Sequence, residues 1–114
     1  MHEVSIAQSL LDVAVENCRT NGFSTIKHVR VLIGKASGVM PEALLFAFDS
    51  LKEDTIARKA DLEIVEVPLR GECRECGKSF ETEERYVLSC PHCGSVEYTL
   101  SSGRELTVAD LEVE

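Results

Sequence analysis

Apolar residues near the start of the chain recur at helical spacing: Ile6, Leu10, Leu11, Ala14 and Cys18, with Ala7 and Val15 beside them. Steps of three and four residues place these side chains on one stripe, which predicts an amphipathic helix. Ser5 and Gln8 have the S-x-x-Q spacing of a capping box. In that motif a hydroxyl and an amide satisfy the open N–H groups of the first turn, so the helix is expected to start at about Ile6. Asn21-Gly22 supplies the stop signal. Cys18 lies on the apolar stripe and reads as a small core residue, not a ligand.

The period then switches to alternation. Val29, Val31 and Ile33 face one way, while His28 and Arg30 share the other face with Leu32, which predicts a strand over 26–33. His28 is then a solvated strand residue. A loop follows from Gly34 to Gly38, and Pro41 suits the first position of a second helix striped by Leu44, Leu45, Phe48 and Leu51. Leu62 to Leu69, rich in Ile and Val, predicts another strand, with Pro68 marking its edge or end. Strand composition returns at Leu106 to Val113, with an apolar parity that shifts between Val108 and Leu111. This last segment is too short to fold alone and is expected to pair with the 62–69 strand. The expected fold class is α+β: a small three-stranded sheet with two helices on one face, plus an inserted zinc-ribbon module.

That module is announced by Cys73-Arg-Glu-Cys76-Gly77 and Cys90-Pro-His-Cys93-Gly94, with thirteen residues between the two motifs' cysteines. Each Cys-x-x-Cys turn aims two thiolates inward, and two turns complete the tetrahedral sulfur set that Zn2+ accepts. The following glycines suit the tight backbone, because glycine takes φ > 0 without steric cost. Iron also accepts tetrahedral thiolates, and two disulfides or ordinary buried cysteines are the plainer alternatives. His92, inside the second turn, reads as a solvated turn residue, since four thiolates already satisfy a metal.

Composition sharpens this picture. The chain has 114 residues, 44% hydrophobic and 28% charged, an ordinary globular balance, yet aromatics are only 5% and Trp is absent. A core so poor in aromatics makes a metal staple a sensible supplement. The net charge of −8 argues against a nucleic-acid surface, which needs clustered Lys and Arg. No apolar run is long enough to span a membrane, and no basic-then-apolar leader opens the chain. Metal-type cysteine spacing without such a leader fits a reducing cytoplasm.

Met1-His2-Glu3 is the other chemically suggestive stretch. A histidine at position 2 offers three nitrogens in one plane: the Met1 amine, the deprotonated His2 amide and the imidazole. Fused chelate rings of this kind suit Ni(II) or Cu(II), whereas zinc in a closed thiolate site prefers a tetrahedron. The bulky second residue is expected to leave Met1 in place. A solvated terminus is the plain alternative. The helix start at Ser5 ties His2 and Glu3 to ordered structure, and Glu3 is favoured at the positive end of that helix.

Met1-His2-Glu3-Val4-Ser5, a helix, a Val-rich strand ending at Gly34 and the Cys73/Cys76/Cys90/Cys93 ribbon together resemble hydrogenase maturation factors of the HypA/HybF family, over essentially the whole chain. The resemblance implies a nickel metallochaperone. Its cargo is Ni(II), delivered to the large-subunit precursor of [NiFe] hydrogenase with a GTPase of the HypB type, and in some organisms to urease through its accessory proteins. It further implies His2, with the Met1 amine, as the nickel ligand, Glu3 as an assisting residue, and Cys73, Cys76, Cys90 and Cys93 as a structural zinc site. An acidic residue in the loop before the second helix joins the nickel site in some relatives; here 37–42 offers only Glu42. The implied division is a nickel-binding α/β domain of residues 1–70 with 100–114, and a zinc-ribbon domain of residues 71–99.

Other classes read differently. A rubredoxin-like iron protein shares the Cys-x-x-Cys-Gly pattern, but the spacer looks short and the module's only aromatics are Phe80, Tyr86 and Tyr98. A transcription-type ribbon needs a basic face that the charge denies. A four-cysteine zinc has no open position for substrate, and no nucleophile–base set or phosphate loop appears elsewhere, so no enzyme is expected.

Overall fold

The computed structural model describes residues 3–114. Helix α1 (Glu3–Thr20) buries Ala7, Leu10, Leu11, Ala14 and Cys18. Helix α2 (Pro41–Leu51) has Pro41 in its first turn and buries Leu44, Ala47 and Phe48, while Leu45 and Phe46 face solvent. The two helices pack on each other. Their apolar stripes meet the need that amphipathic helices have for a partner surface. Ser5 lies inside α1, and Gln8 Nε2 donates forward to Asp12 Oδ1 at 2.8 Å, so the expected capping box does not form. Glu3, an acid in the first turn, stands earlier than the expected start at Ile6.

Strands β1 (Ile26–Gly34), β2 (Asp61–Val67) and, at the far end of the chain, β6 (Leu106–Val113) form a three-stranded sheet in the order β2-β1-β6. The final strand therefore pairs with β1, not with the 62–69 segment as the sequence suggested. Burial explains the choice. Strand β1 buries Ile26, Val29, Val31 and Ile33, whereas β2 and β6 are at most half-buried, so the most apolar strand takes the centre and the others the edges. Reciprocal bonds from Glu114 N to Thr25 O (2.9 Å) and Thr25 N to Glu114 O (3.1 Å) close the β1–β6 ladder, and Arg30 pairs with Asp110 across it.

Pro68 ends β2 and divides the predicted 62–69 strand, because β3 (Leu69–Cys73) begins a second sheet. Its order is β4-β3-β5, with β4 (Ser79–Thr82) and β5 (Tyr98–Ser102) both antiparallel to β3. Two compact units result. The first holds the chain up to Leu32, Val39–Val65 and Thr107–Glu114; the second holds Ile33–Gly38 and Glu66–Leu106. No helix among the described residues is long and apolar enough to cross a membrane.

Candidate metal centre

The four cysteines converge in the second unit. Strand β3 carries Cys73 at its last position, and the turn that follows carries Cys76; the second turn carries Cys90 and Cys93. Cys73 N donates to Lys78 O at 3.0 Å and Gly77 N to Cys73 O at 3.0 Å, closing the first knuckle. Cys90 N to Ser95 O (2.7 Å) and Gly94 N to Cys90 O (2.8 Å) close the second in the same way. Gly77 and Gly94 stand at φ 73° and 79°, a left-handed conformation that costs other residues about 1 kcal/mol or more. The repeated spacing thus builds two copies of one turn.

Their sulfur atoms all lie within 4.8 Å of one another, and none is in a disulfide. The Cys73–Cys93 and Cys76–Cys90 separations are 3.5 and 3.8 Å. A tetrahedral metal with metal–sulfur bonds of about 2.3 Å requires sulfurs about 3.8 Å apart. The two separations lie close to that value, and the cluster has the size such an ion needs. Cys73 and Cys90 are buried and Cys76 and Cys93 exposed, so the cluster is held from one side and reached from the other.

The electrostatics favour a cation. The backbone N–H of Cys76, 3.5 Å from Cys73 Sγ, together with that of Glu75 and the neighbouring thiols, lowers the Cys73 thiol to about 6, against the pull of burial. Cys93 goes the other way. The Ser95 backbone N–H favours its thiolate, yet the sulfurs of Cys73, Cys76 and Cys90 and burial together push it up to about 12. Four sulfurs at this separation cannot all ionise unless a positive charge sits among them.

Among the described residues, the other side chains singled out in the sequence do not join the sulfur cluster. His92 is exposed, and its Nε2 is 3.2 Å from Ser79 O; its backbone N–H donates to Cys90 Sγ at 3.4 Å. His28 Nε2 is 2.9 Å from Glu63 Oε1. Glu42 is exposed in the first turn of α2. Cys18 is buried in the first unit. Met1 and His2 lie outside the described residues.

Glu3 has a role that pattern reading missed. Its Oε2 accepts from the backbone N–H of Met40 at 3.1 Å, and Met40 is the N-cap residue of α2, with no capping side chain of its own. A carboxylate from the first turn of α1 thus caps the second helix. No local sequence signal marks this bond, because its partners are 37 positions apart.

The chain matches, over residues 1–113, the family described as "Hydrogenase/urease nickel incorporation, metallochaperone, hypA". A hydrogenase maturation factor HypA from Aquifex aeolicus is 42% identical over 114 residues, covering all of this chain and 98% of that protein. One from Rhizobium leguminosarum bv. viciae is 38% identical over 113 residues, covering 99% of each. Among solved structures, the nickel metallochaperone HypA from Helicobacter pylori is similar with a TM-score of 0.73 at 28% identity, covering 99% of this chain and 97% of that one.

Proposed function

The chain belongs to the HypA family of nickel-incorporating metallochaperones, and on that premise we propose that it carries Ni(II) on the nitrogens of Met1 and His2 while Cys73, Cys76, Cys90 and Cys93 hold Zn2+. A metallochaperone of hydrogenase maturation passes on an ion and makes or breaks no covalent substrate bond, so the chain is not an enzyme. The observation that carries the division of metals is the sulfur cluster. Four cysteines fill a tetrahedron and leave no open position, which suits a resident structural ion and not a cargo that must be surrendered.

The nickel reading rests on the donor chemistry at the start of the chain. Amine, amide and imidazole give a planar nitrogen set of the geometry Ni(II) favours. Glu3 assists beside the metal, adding negative charge while its bond to Met40 N–H anchors the first turn of α1. Release proceeds by ligand exchange, as a docked acceptor offers competing nitrogen or thiolate donors and the terminal chelate opens stepwise. On this reading the acceptor side includes a GTPase of the HypB type and the large-subunit precursor of [NiFe] hydrogenase, with urease accessory proteins as a second outlet, all in the cytoplasm.

Nickel titration of the parent chain beside His2→Ala and a variant with extra residues ahead of Met1 tests the reading. Both variants are expected to lose high-affinity nickel binding while keeping their zinc. Nickel binding by both variants at the parent's affinity would overturn it.

A further inference from the structure

The second unit carries a concave surface that neither metal uses. A cavity of about 430 Å³ is lined by Lys35, Arg85 and Arg104, three of that unit's six basic side chains, in a protein of net charge −8. Among the described residues, neither the Arg85 nor the Arg104 guanidinium has a hydrogen bond or ion pair. Lys35 Nζ is ion-paired with Glu66 Oε1 at 3.8 Å and Glu83 Oε2 at 3.7 Å, so the two arginines carry the cavity's unpaired positive charge. The remaining wall is apolar or aromatic. Leu69 and Leu100 line it, as do both of the protein's tyrosines.

The tyrosines differ in freedom. Tyr98 is fixed: its ring meets Phe80 edge-on with centroids 5.7 Å apart, and its hydroxyl donates to Val87 O. Tyr86 is 72% exposed, and the neighbouring Leu88 is 80% exposed. A concave, partly apolar wall with a few convergent unpaired donors is the general form of a recognition site. Arginine forks match carboxylates in a bidentate geometry.

We propose that this cavity docks a short peptide segment of a partner protein in which carboxylates alternate with aliphatic side chains. The two unpaired guanidiniums of Arg85 and Arg104 receive the carboxylates, and the leucine and tyrosine surface takes the apolar residues between them. A long polyanion such as nucleic acid meets repulsion from the rest of an acidic chain. A free phosphate leaves the apolar wall unused. A chaperone that hands on its cargo also needs a hold on its partner; on the function proposed above, this surface supplies one.

Because the chain has two tyrosines and no tryptophan, its intrinsic fluorescence reports on this cavity directly. The experiment titrates the zinc-loaded full chain with a capped peptide of alternating Leu and Glu, with the same peptide carrying Gln for Glu, and with inorganic phosphate. The Glu peptide is expected to change the emission saturably, with an affinity that falls as salt is added. Arg85→Gln/Arg104→Gln is expected to weaken it about tenfold or more, Arg104→Glu alone to weaken it further than Arg104→Gln, and Arg70→Gln, which loses only the Glu81 pair, to leave it unchanged. An equal response to the Gln peptide, an unaltered affinity in the arginine variants, or phosphate reproducing the full change would each overturn the proposal.

Discussion

The two units solve the same stability problem with different means. In the first, Leu10, Leu11, Leu44, Phe48, Ile26, Val29 and Val31 are buried together with several alanines. In the second, the buried apolar side chains are few: Ile33, Leu69, Phe80 and the two cysteines Cys73 and Cys90. Burial of a large aliphatic or aromatic side chain contributes about 1.5–3 kcal/mol, so the second unit, with fewer such side chains, gains less from burial than the first. A four-thiolate metal site, worth about 10–16 kcal/mol in small zinc modules, makes up that deficit. The charges divide as well: the first unit has six basic and twelve acidic side chains, the second six and eight. The proposed cation cargo would then fall in the more acidic unit and the proposed anionic docking segment in the less acidic one.

Removing the metal should break this comparison most forcefully. Chelation, or Cys73→Ser, is expected to abolish amide protection across β3, β4 and β5 while α1 and α2 stay protected in hydrogen exchange. Uniform loss in both units would mean that the first unit has no independent core. Next in size, Leu11→Ala or Phe48→Ala should cost about 2–5 kcal/mol in chemical denaturation, with zinc content unchanged because neither side chain lies in the second unit.

Acid should sharpen the contrast by acting on the cysteines of the second unit. An ordinary thiol near 9 becomes about 6 at Cys73, so its ionised form contributes stability above 9 that is lost as the pH falls through 6. Cys93, pushed up to about 12, stays protonated through the neutral range until a cation enters, so metal loading at neutral pH must release protons. Zinc retention is expected to hold at neutral pH and drop as the pH falls toward 6 and below, while the helical signal of the first unit persists. The smallest effect is at Glu3. Glu3→Ala removes the cap on Met40 N–H and should cost about 0.5–2 kcal/mol, read as a lower melting temperature of the first unit.

What the sequence made legible follows from the range of the interactions. Helical and alternating periods are local, so both helices, the strand at 26–34 and the last strand were visible, as was the cysteine cluster, whose turns close within five residues. Strand order was not. Pairing β6 with β1 depends on which strand is most deeply buried, a property of the assembled core that no short window reports. The Glu3–Met40 bond and the cavity that gathers Lys35, Arg85 and Arg104 were hidden for the same reason. The capping box failed for another: Gln8 found a partner one turn ahead in Asp12, a competing bond with the same local reach.

The division of metals between the units is the central claim, and nickel titration of the zinc-loaded chain, followed by near-ultraviolet absorption and by released zinc, tests it most directly. The expected result is stoichiometric nickel uptake with no nickel–thiolate charge-transfer band and no zinc release. Growth of that band in step with zinc loss would place the nickel on the cysteines and contradict the account.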